Sequence, residues 1–321
     1  MTAKTDPEYG KGVAKVGEGD PLSPILAEIR LGVKTAVSKE DFEIPLLPHV
    51  ASQVLQMANN PKAGIPEIEN LVKQDQVIAA KIIKTANSPF YRGLSNIVSL
   101  RDAMGRMGLK ALKDIVFSLS IHSKVFKIKS FEPVLDSIWD HSVACAAICQ
   151  HIAKKKGMDA EHAFLAGLVH DIGKPVLVQV VSEFEEKQRK MMIEKMRAQK
   201  KTFDPKDWKI DKLRDMLLPI IFDEYHGIVG ALVATKWKLP GTLSEVIRFH
   251  HDYAQAKEGQ KMAALVHAAN IFCHHFGLGH EAKPVDLTQQ KAFFDLGFTI
   301  DQIKVLEKEI PEIAKSLMGS L

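Results

Sequence analysis

The sequence predicts an all-α protein. Apolar residues recur at three- and four-residue spacing nearly throughout its 321 residues. No run alternates apolar and polar residues as a half-buried strand would. Ser, Thr and Asp stand ahead of the periodic stretches, and Gly, Asn or Pro stand after them, as helix starts and stops do.

Met1 to Asp20 is rich in Lys, Gly, Glu and Asp and is expected to be a flexible tail. Pro21 to Val37 reads as one helix, with Leu26, Ile29 and Leu31 on its apolar side. From Phe42 to about Ser123 a bundle of short helices is expected. Val50 to Met57 is amphipathic and stops at Asn59-Asn60-Pro61; a second helix runs from Ile65 through Val72. Asp75 can cap Val77 to Ala86, which Asn87-Ser88-Pro89 ends, the Asn87 amide bonding backbone in that turn. Ser99 can cap Leu100 to Met107, Gly108 stops it, and Leu109 to Phe126 forms a further helix.

The second half continues with a helix over Ser137 to Lys155 and another over Ala160 to Val169, capped by Asp159. Val178 to Phe222 is a charged segment. Lys187-Gln188-Arg189-Lys190 and Lys195 to Lys201 make it basic, a pattern that fits a solvated face better than a nucleic-acid patch, with a lid over a site as a further role. His226 opens a helix through Ala234, where Gly230 would let another helix or a ligand approach. Thr242-Leu243-Ser244-Glu245 reads as a capping box for a helix ending at His250-His251. Lys283 to Leu321 reads as a C-terminal helical cap, with Thr299 capping Ile300 and with Leu306, Ile310, Ile313 and Leu317 at core spacing.

The chemistry concentrates at Leu165-Ala166-Gly167-Leu168-Val169-His170-Asp171-Ile172-Gly173-Lys174-Pro175. Gly173 and Pro175 stop the preceding helix, so His170 and Asp171 fall at its last turn. Lys174 follows one turn later, and a helical turn would gather all three. Adjacent imidazole and carboxylate suit iron, manganese or zinc better than calcium. Lysine supplies a point charge for a phosphate oxygen. A lone His-Asp pair at a helix end is more often a hydrogen-bonded terminus. Here His141, His226, His250 and His251 also stand beside apolar helical stripes.

The residues His141, His170-Asp171-Ile172-Gly173-Lys174, His226 and His250-His251 resemble the HD superfamily of metal-dependent phosphohydrolases, particularly its HD-GYP branch. Upstream, Ile44-Pro45-Leu46-Leu47-Pro48-His49, Asp75, Ala86-Asn87-Ser88-Pro89-Phe90-Tyr91 and Ser99 to Gly108 resemble an HDOD domain, the regulatory relative of those enzymes. The resemblance covers roughly Phe42 to His275. It implies two packed helical subdomains: an HDOD-type N-terminal bundle over 21–125 and an HD-like helical bundle over 126–282, followed by the cap at 283–321.

By that resemblance His141, His170, Asp171, His226, His250 and His251 fall at metal-ligand positions and Lys174 at the phosphate-contacting one, so Lys174 and Asp171 are the catalytic candidates. The final aspartate of the pattern is replaced by Asn270, an uncharged ligand. The Gly-Tyr-Pro signature is absent after His251, and Ser137 stands where some multi-metal relatives carry glutamate. The implied cofactor is a divalent metal ion, with iron or manganese ahead of zinc and nickel.

Two functions follow from the resemblance. One is a signal-transduction module with a partly retained metal site, acting through a protein partner or a nucleotide. The other is a metal-dependent phosphohydrolase or phosphodiesterase on a nucleotide such as cyclic-di-GMP. Oxygen chemistry at a di-iron centre ranks third. A homodimer is a further arrangement to test.

A net charge of +4 implies no strong nucleic-acid field. Trp208 and Trp237 read as packing anchors. Cys145, Cys149 and Cys273 form neither a disulfide framework nor zinc-finger spacing. Cys145 lies one turn from His141, where a buried thiol is expected over a ligand. No secretory signal and no apolar run of membrane-spanning length is read, so the expected location is cytoplasmic.

Overall fold

A computed structural model of the chain describes residues 23–39, 44–58, 64–91, 93, 95–199, 210–319 and 321. Every regular element among these residues is helical, as expected. The expected tail, Pro21, Phe42, the Asn59-Asn60-Pro61 stop, Lys200-Lys201 and Trp208 lie outside the described residues.

The first helices form where the caps predict. Helix α1 (Ser23–Lys39) buries Leu26, Ile29 and Val33, while Leu31 is exposed, correcting its assignment to the apolar side. Its role is packing on the body. Arg30 holds Glu224 through two hydrogen bonds, the Nε one at 2.8 Å. Helices α2 (His49–Ala58), α3 (Ile65–Val72) and α4 (Gln76–Ala86) pack on α5 (Leu100–Val125). The Asp75 carboxylate accepts from the N–H groups of Val77 and Ile78, and Ser99 Oγ accepts from that of Asp102. Asn87 closes the following loop: its Nδ2 donates to Ile83 O and Ile97 O, and its Oδ1 accepts from Ile97 N.

Helix α5 breaks at Gly108, where φ is 77° and ψ 163°. That conformation is essentially reserved to glycine. An added Cβ would meet no atom within 4 Å, so the cost of a side chain there is backbone strain alone. Gly108→Ala is expected to destabilise the protein by about 1–3 kcal/mol. A lowered urea midpoint with an unchanged slope would show it.

Helix α6 (Glu132–Lys155) is the core of the second half, with every residue from His141 through Gln150 buried. Pro133 sits in its first turn, where a missing N–H costs nothing. It packs against α7 (Ala160–Val169), α11 (Gln260–Phe276) and α13 (Ile300–Met318). His122, near the end of α5, lies against Trp139 with ring centroids 4.5 Å apart. Burial lowers its pKa to about 4, with Lys81 and Lys127 adding to the effect and Asp136 opposing it. The unfolded chain therefore takes up this proton at higher pH than the folded one. Stability tied to His122 is lost as pH falls from about 6.5 toward 4. His122→Phe should flatten that part of the urea-midpoint profile; an unaltered slope would count against it.

Three expectations need correction. Gly173 and Pro175 do end α7, but by starting α8 (Gly173–Ala198), with Pro175 in its first turn. His226 does not begin a helix: α9 (Ile210–Lys236) runs through Pro219 and past His226 without a break. Leu217, Leu218, Ile220 and Ile221, all buried, hold α9 on both sides of that proline. Thr242 and Glu245 make no capping box, because α10 (Gly241–Phe249) begins after Pro240. Glu245 instead accepts from the N–H groups of Lys257, Glu258 and Gly259, ahead of α11.

The basic segment continues α8 and packs beside α9. Lys187 lies thirteen residues beyond Lys174, about 20 Å along a helix, so this basic run does not cover the His170-Asp171 turn; Phe222, at the far end of the charged segment, does reach the site, and residues 200–209 between them lie outside the described residues. Lys190 pairs with Glu186 at 2.8 Å and Lys187 with Glu28 at 3.7 Å. Trp237 is a packing anchor whose Nε1 donates to Pro45 O at 2.8 Å.

The chain does contain stretches long and apolar enough to cross a membrane, contrary to expectation: Ala160–Ala198 and Arg214–Lys236. Their apolar windows are 83% and 56% buried in the fold, so core packing accounts for most of that composition. At the C-terminal end α12 (Lys291–Asp295) precedes α13, whose N-terminus has the expected Thr299 cap, with Gln302 completing a capping box. Ile303, Leu306, Ile310 and Leu317 bury the inner face of α13.

Candidate metal centre

Five helix regions converge on one carboxylate. Asp159 caps α7 through Glu161 N and His162 N, and α7 ends at Val169 with His170 as its C-cap. The turn His170-Asp171-Ile172 passes directly into α8, held by Ile172 N on Val169 O at 3.0 Å and Lys174 N on Asp171 O at 2.9 Å. Asp171 is thereby buried at 1% exposure and faces four imidazoles.

The two carboxylate oxygens serve different histidines. Oδ2 lies 3.5 Å from His141 Nε2 and 3.4 Å from His170 Nε2. Oδ1 lies 3.6 Å from His226 Nε2 and 3.8 Å from His250 Nε2, and no donor reaches it. Two ligand groups result: His141, His170 and Asp171 in one, His226, His250 and His251 in the other, each with its ligand atoms within 4.8 Å of one another. His251 joins the second through ring contacts at 4.1 Å to His250 and 5.0 Å to His226.

Backbone carbonyls fix the tautomers. The Nδ1 atoms face Leu278 O (His141, 3.3 Å), Gly167 O (His170, 2.7 Å), Ile247 O (His250, 2.8 Å) and Phe222 O (His226). A carbonyl only accepts, so each Nδ1 carries the hydrogen and each neutral ring presents its Nε2 lone pair inward. This is the arrangement by which proteins orient metal-binding histidines. His226 Nε2 and His250 Nε2 then stand 3.2 Å apart with two lone pairs facing each other. A proton or a metal ion between them relieves that repulsion.

Burial decides most of the protonation states. It lowers His141 to about 3 and His226 to about 4 and holds His250 and His251 well below the ordinary imidazole range, although Asp171 pulls each upward. For His170 burial acts the same way but is outweighed by Asp171 and Cys145, which push it up to about 10. Burial likewise raises Asp171, but Lys174 and then His170 hold it well below the usual carboxylate range. His170 is thus the protonated ring of its pair and donates to His141 Nε2 at 3.3 Å. A bound cation would displace that proton.

Lys174, 8% exposed, donates to Asp171 Oδ2 and lies 6.0 Å from the Phe222 ring. Asn270, 4% exposed on α11, has an amide oxygen with no hydrogen-bond partner. Gly230 admits a helix, as its spacing suggested: Ile247 and the start of α8 lie against it. Cys145, Cys149 and Cys273 are buried and form no disulfide with one another.

Three contributors escaped the sequence reading, and a fourth, Ser137, was read there only as standing in a glutamate's place. Leu278 O orients His141, Ser137 Oγ donates to Gly279 O, and the rings of His274 and His280 lie 5.5 and 5.1 Å from that of His141. The local signal was the run His274-His275-Phe276-Gly277-Leu278-Gly279-His280, whose imidazoles flank two glycines.

Nitrogen-rich donors, a carboxylate with one unsatisfied oxygen and fixed tautomers together fit a divalent transition-metal ion. The chain is thus an all-α protein built around a candidate metal centre. The HDOD domain model matches residues 44–253, and the chain belongs to that family. Among solved structures, an HDOD domain protein of unknown function from Geobacter sulfurreducens is 24% identical, with a TM-score of 0.67 over 92% of this chain and 99% of that one. A candidate metal-dependent phosphohydrolase from Shewanella amazonensis SB2B is 22% identical, with a TM-score of 0.65 over 92% and 98%. An uncharacterized protein of Treponema pallidum (strain Nichols) is 24% identical over 221 residues, 68% of this chain and 40% of that protein. The chain therefore spans less than half the length of that curated relative.

Proposed function

We propose that this chain is a signal-transduction HDOD module whose buried centre holds a divalent metal ion and which acts by binding a protein or a nucleotide. The facing Nε2 lone pairs of His226 and His250, 3.2 Å apart with both Nδ1 hydrogens committed to carbonyls, carry the metal assignment. His141, His170, Asp171, His226, His250 and His251 supply the ligands, with Asn270 as an uncharged addition. Iron or manganese is the first expectation, with zinc and nickel behind. Residues 126–282 hold the centre, 21–125 offer the partner-binding bundle, and 283–321 buttress α6.

The regulatory role is favoured over turnover by the state of two groups. Lys174 is 8% exposed and donates to Asp171, itself 1% exposed, so the charged groups of the centre lie in a nearly closed interior. Asn270 gives no charge where a carboxylate would help hold a second ion. The alternative, a phosphohydrolase acting on a nucleotide, is favoured by one observation: Asp171 offers an oxygen to each ligand group, as a carboxylate shared between two ions does. Bound metal would supply an activated water and neutralise phosphate charge.

Elemental mass spectrometry of protein purified without oxygen or added metal tests the reading. About one or two ions per chain are expected in wild type, with a loss in His170→Ala. A nucleotide-hydrolysis screen on the same samples separates the two functions. Wild-type protein that is folded but takes up no ion would overturn the metal assignment. Hydrolysis abolished by His170→Ala would overturn the regulatory role.

A further inference from the structure

We infer that His280 is an additional ligand of the first half of the centre, delivered by the loop after α11, which makes that half a nitrogen-rich site for a borderline ion. The inference rests on the metal reading above and concerns a residue outside the His141, His170, Asp171, His226, His250, His251 and Asn270 set.

The loop is built into the site. Gly277 ends α11 in the left-handed region, φ 66°, and Lys283 N returns to His274 O at 2.8 Å, closing the segment on itself. Gly279 is also left-handed, φ 84°, and a Cβ there would overlap the backbone of α6 at Ser137 and His141. Only glycine allows so close an approach. Two contacts fix the loop on α6: Ser137 Oγ donates to Gly279 O, and His141 Nδ1 donates to Leu278 O. The segment that orients one ligand thus carries His280 two residues further on.

His280 has the same signature as the four inward-facing histidines. Its Nδ1 donates to Glu281 O at 2.9 Å, so a neutral ring holds its lone pair on Nε2. That Nε2 is buried and has no hydrogen-bond partner. The ring lies 5.1 Å from His141 and stacks on His274 at 4.1 Å and 23°, which sets its orientation. Protein groups or ordered water usually satisfy such an atom; here an orphaned imidazole acceptor lies in ring contact with His141, just outside the 4.8 Å grouping of His141, His170 and Asp171, so a small movement of the loop would bring it to the ion. With His141, His170 and Asp171 it makes three imidazoles and one carboxylate, a set that suits zinc, iron, cobalt or nickel and disfavours magnesium and calcium. The second half, with His226, His250 and His251, takes no part of this loop.

Cobalt(II) titration of the full chain tests the assignment, with metal content and absorption spectra as readouts. His280→Phe keeps a ring to stack on His274 but removes the nitrogen. It is expected to weaken one of two ions by about tenfold or more and to leave the other unchanged. His280→Cys is expected to restore that ion and to add a thiolate-to-cobalt charge-transfer band absent from wild type. Two ions held at wild-type affinity in His280→Phe, together with no new band in His280→Cys, would overturn the ligand role and leave the metal centre standing. No cobalt bound by folded wild type would overturn both.

Discussion

Asp171→Asn is expected to empty both halves of the centre at once, whereas His226→Ala empties only one. The difference follows from geometry: Oδ2 serves His141 and His170, and Oδ1 serves His226 and His250. An asparagine offers one neutral oxygen and an N–H₂ that repels a cation. The change also removes the counter-charge of Lys174, whose side chain is 10% exposed. Breaking a buried pair from one side costs about 3–5 kcal/mol. Metal-free Asp171→Asn should therefore unfold at markedly lower urea than wild type. Adding Lys174→Met should recover most of that stability and none of the metal. Metal content and urea midpoints of the four proteins check both parts. Equal ion loss in Asp171→Asn and His226→Ala would show that the carboxylate is not shared. A metal-free midpoint unmoved by Asp171→Asn would show that Lys174 has other sufficient partners.

What could be read from the sequence was what depends on neighbours in the chain. Asp75, Ser99, Asp159 and Thr299 all cap as expected, because a cap acts within three residues. Gly108 interrupts α5 where it was placed, and the Asn87 amide closes its turn. The histidines of the candidate centre stood out by residue type beside apolar stripes, and the family resemblance supplied the proposed ligand set. Their tautomers were not legible. Those depend on Leu278 O, 137 residues from His141, and on carbonyls whose direction follows from helix placement. Glu245 shows the same limit. Its spacing from Thr242 matches a capping box, but three donors at Lys257 to Gly259 compete for it and win. The continuity of α9 was hidden because charge and a proline interrupt its pattern, while the buried residues that hold it are distributed on either side.

The Gly277 to His280 loop was missed for a related reason. Its function requires no periodicity and no motif; it needs left-handed backbone at two glycines and a facing helix with room for them. A sequence shows the glycines but not what approaches them. The loop and Asp171 also act on the centre in different ways. Asp171 brings charge, which can be lost in one substitution. The loop brings orientation through His141 and, if His280 binds, one further nitrogen.

Asn270→Asp is the complementary experiment, because it adds charge where Asp171→Asn removes it. In the metal-free protein a carboxylate at this buried position, 4% exposed and with no donor to the present amide oxygen, must either bind a proton or be destabilising. The apo variant is therefore expected to be less stable than wild type near neutral pH. With metal present the sign reverses: an anionic ligand should raise affinity for an ion by about tenfold or more, equivalent to ~1.4 kcal/mol. The order of the urea midpoints of wild type and Asn270→Asp should thus invert when metal is added, and ion affinity should rise in the variant. If nucleotide hydrolysis appears together with the tighter ion, the chain is an enzyme disabled at one ligand. If the ion tightens and no nucleotide is cleaved, the centre is structural or regulatory, as proposed. If neither affinity nor stability moves, Asn270 does not face the metal, and its missing charge has no bearing on what the centre does.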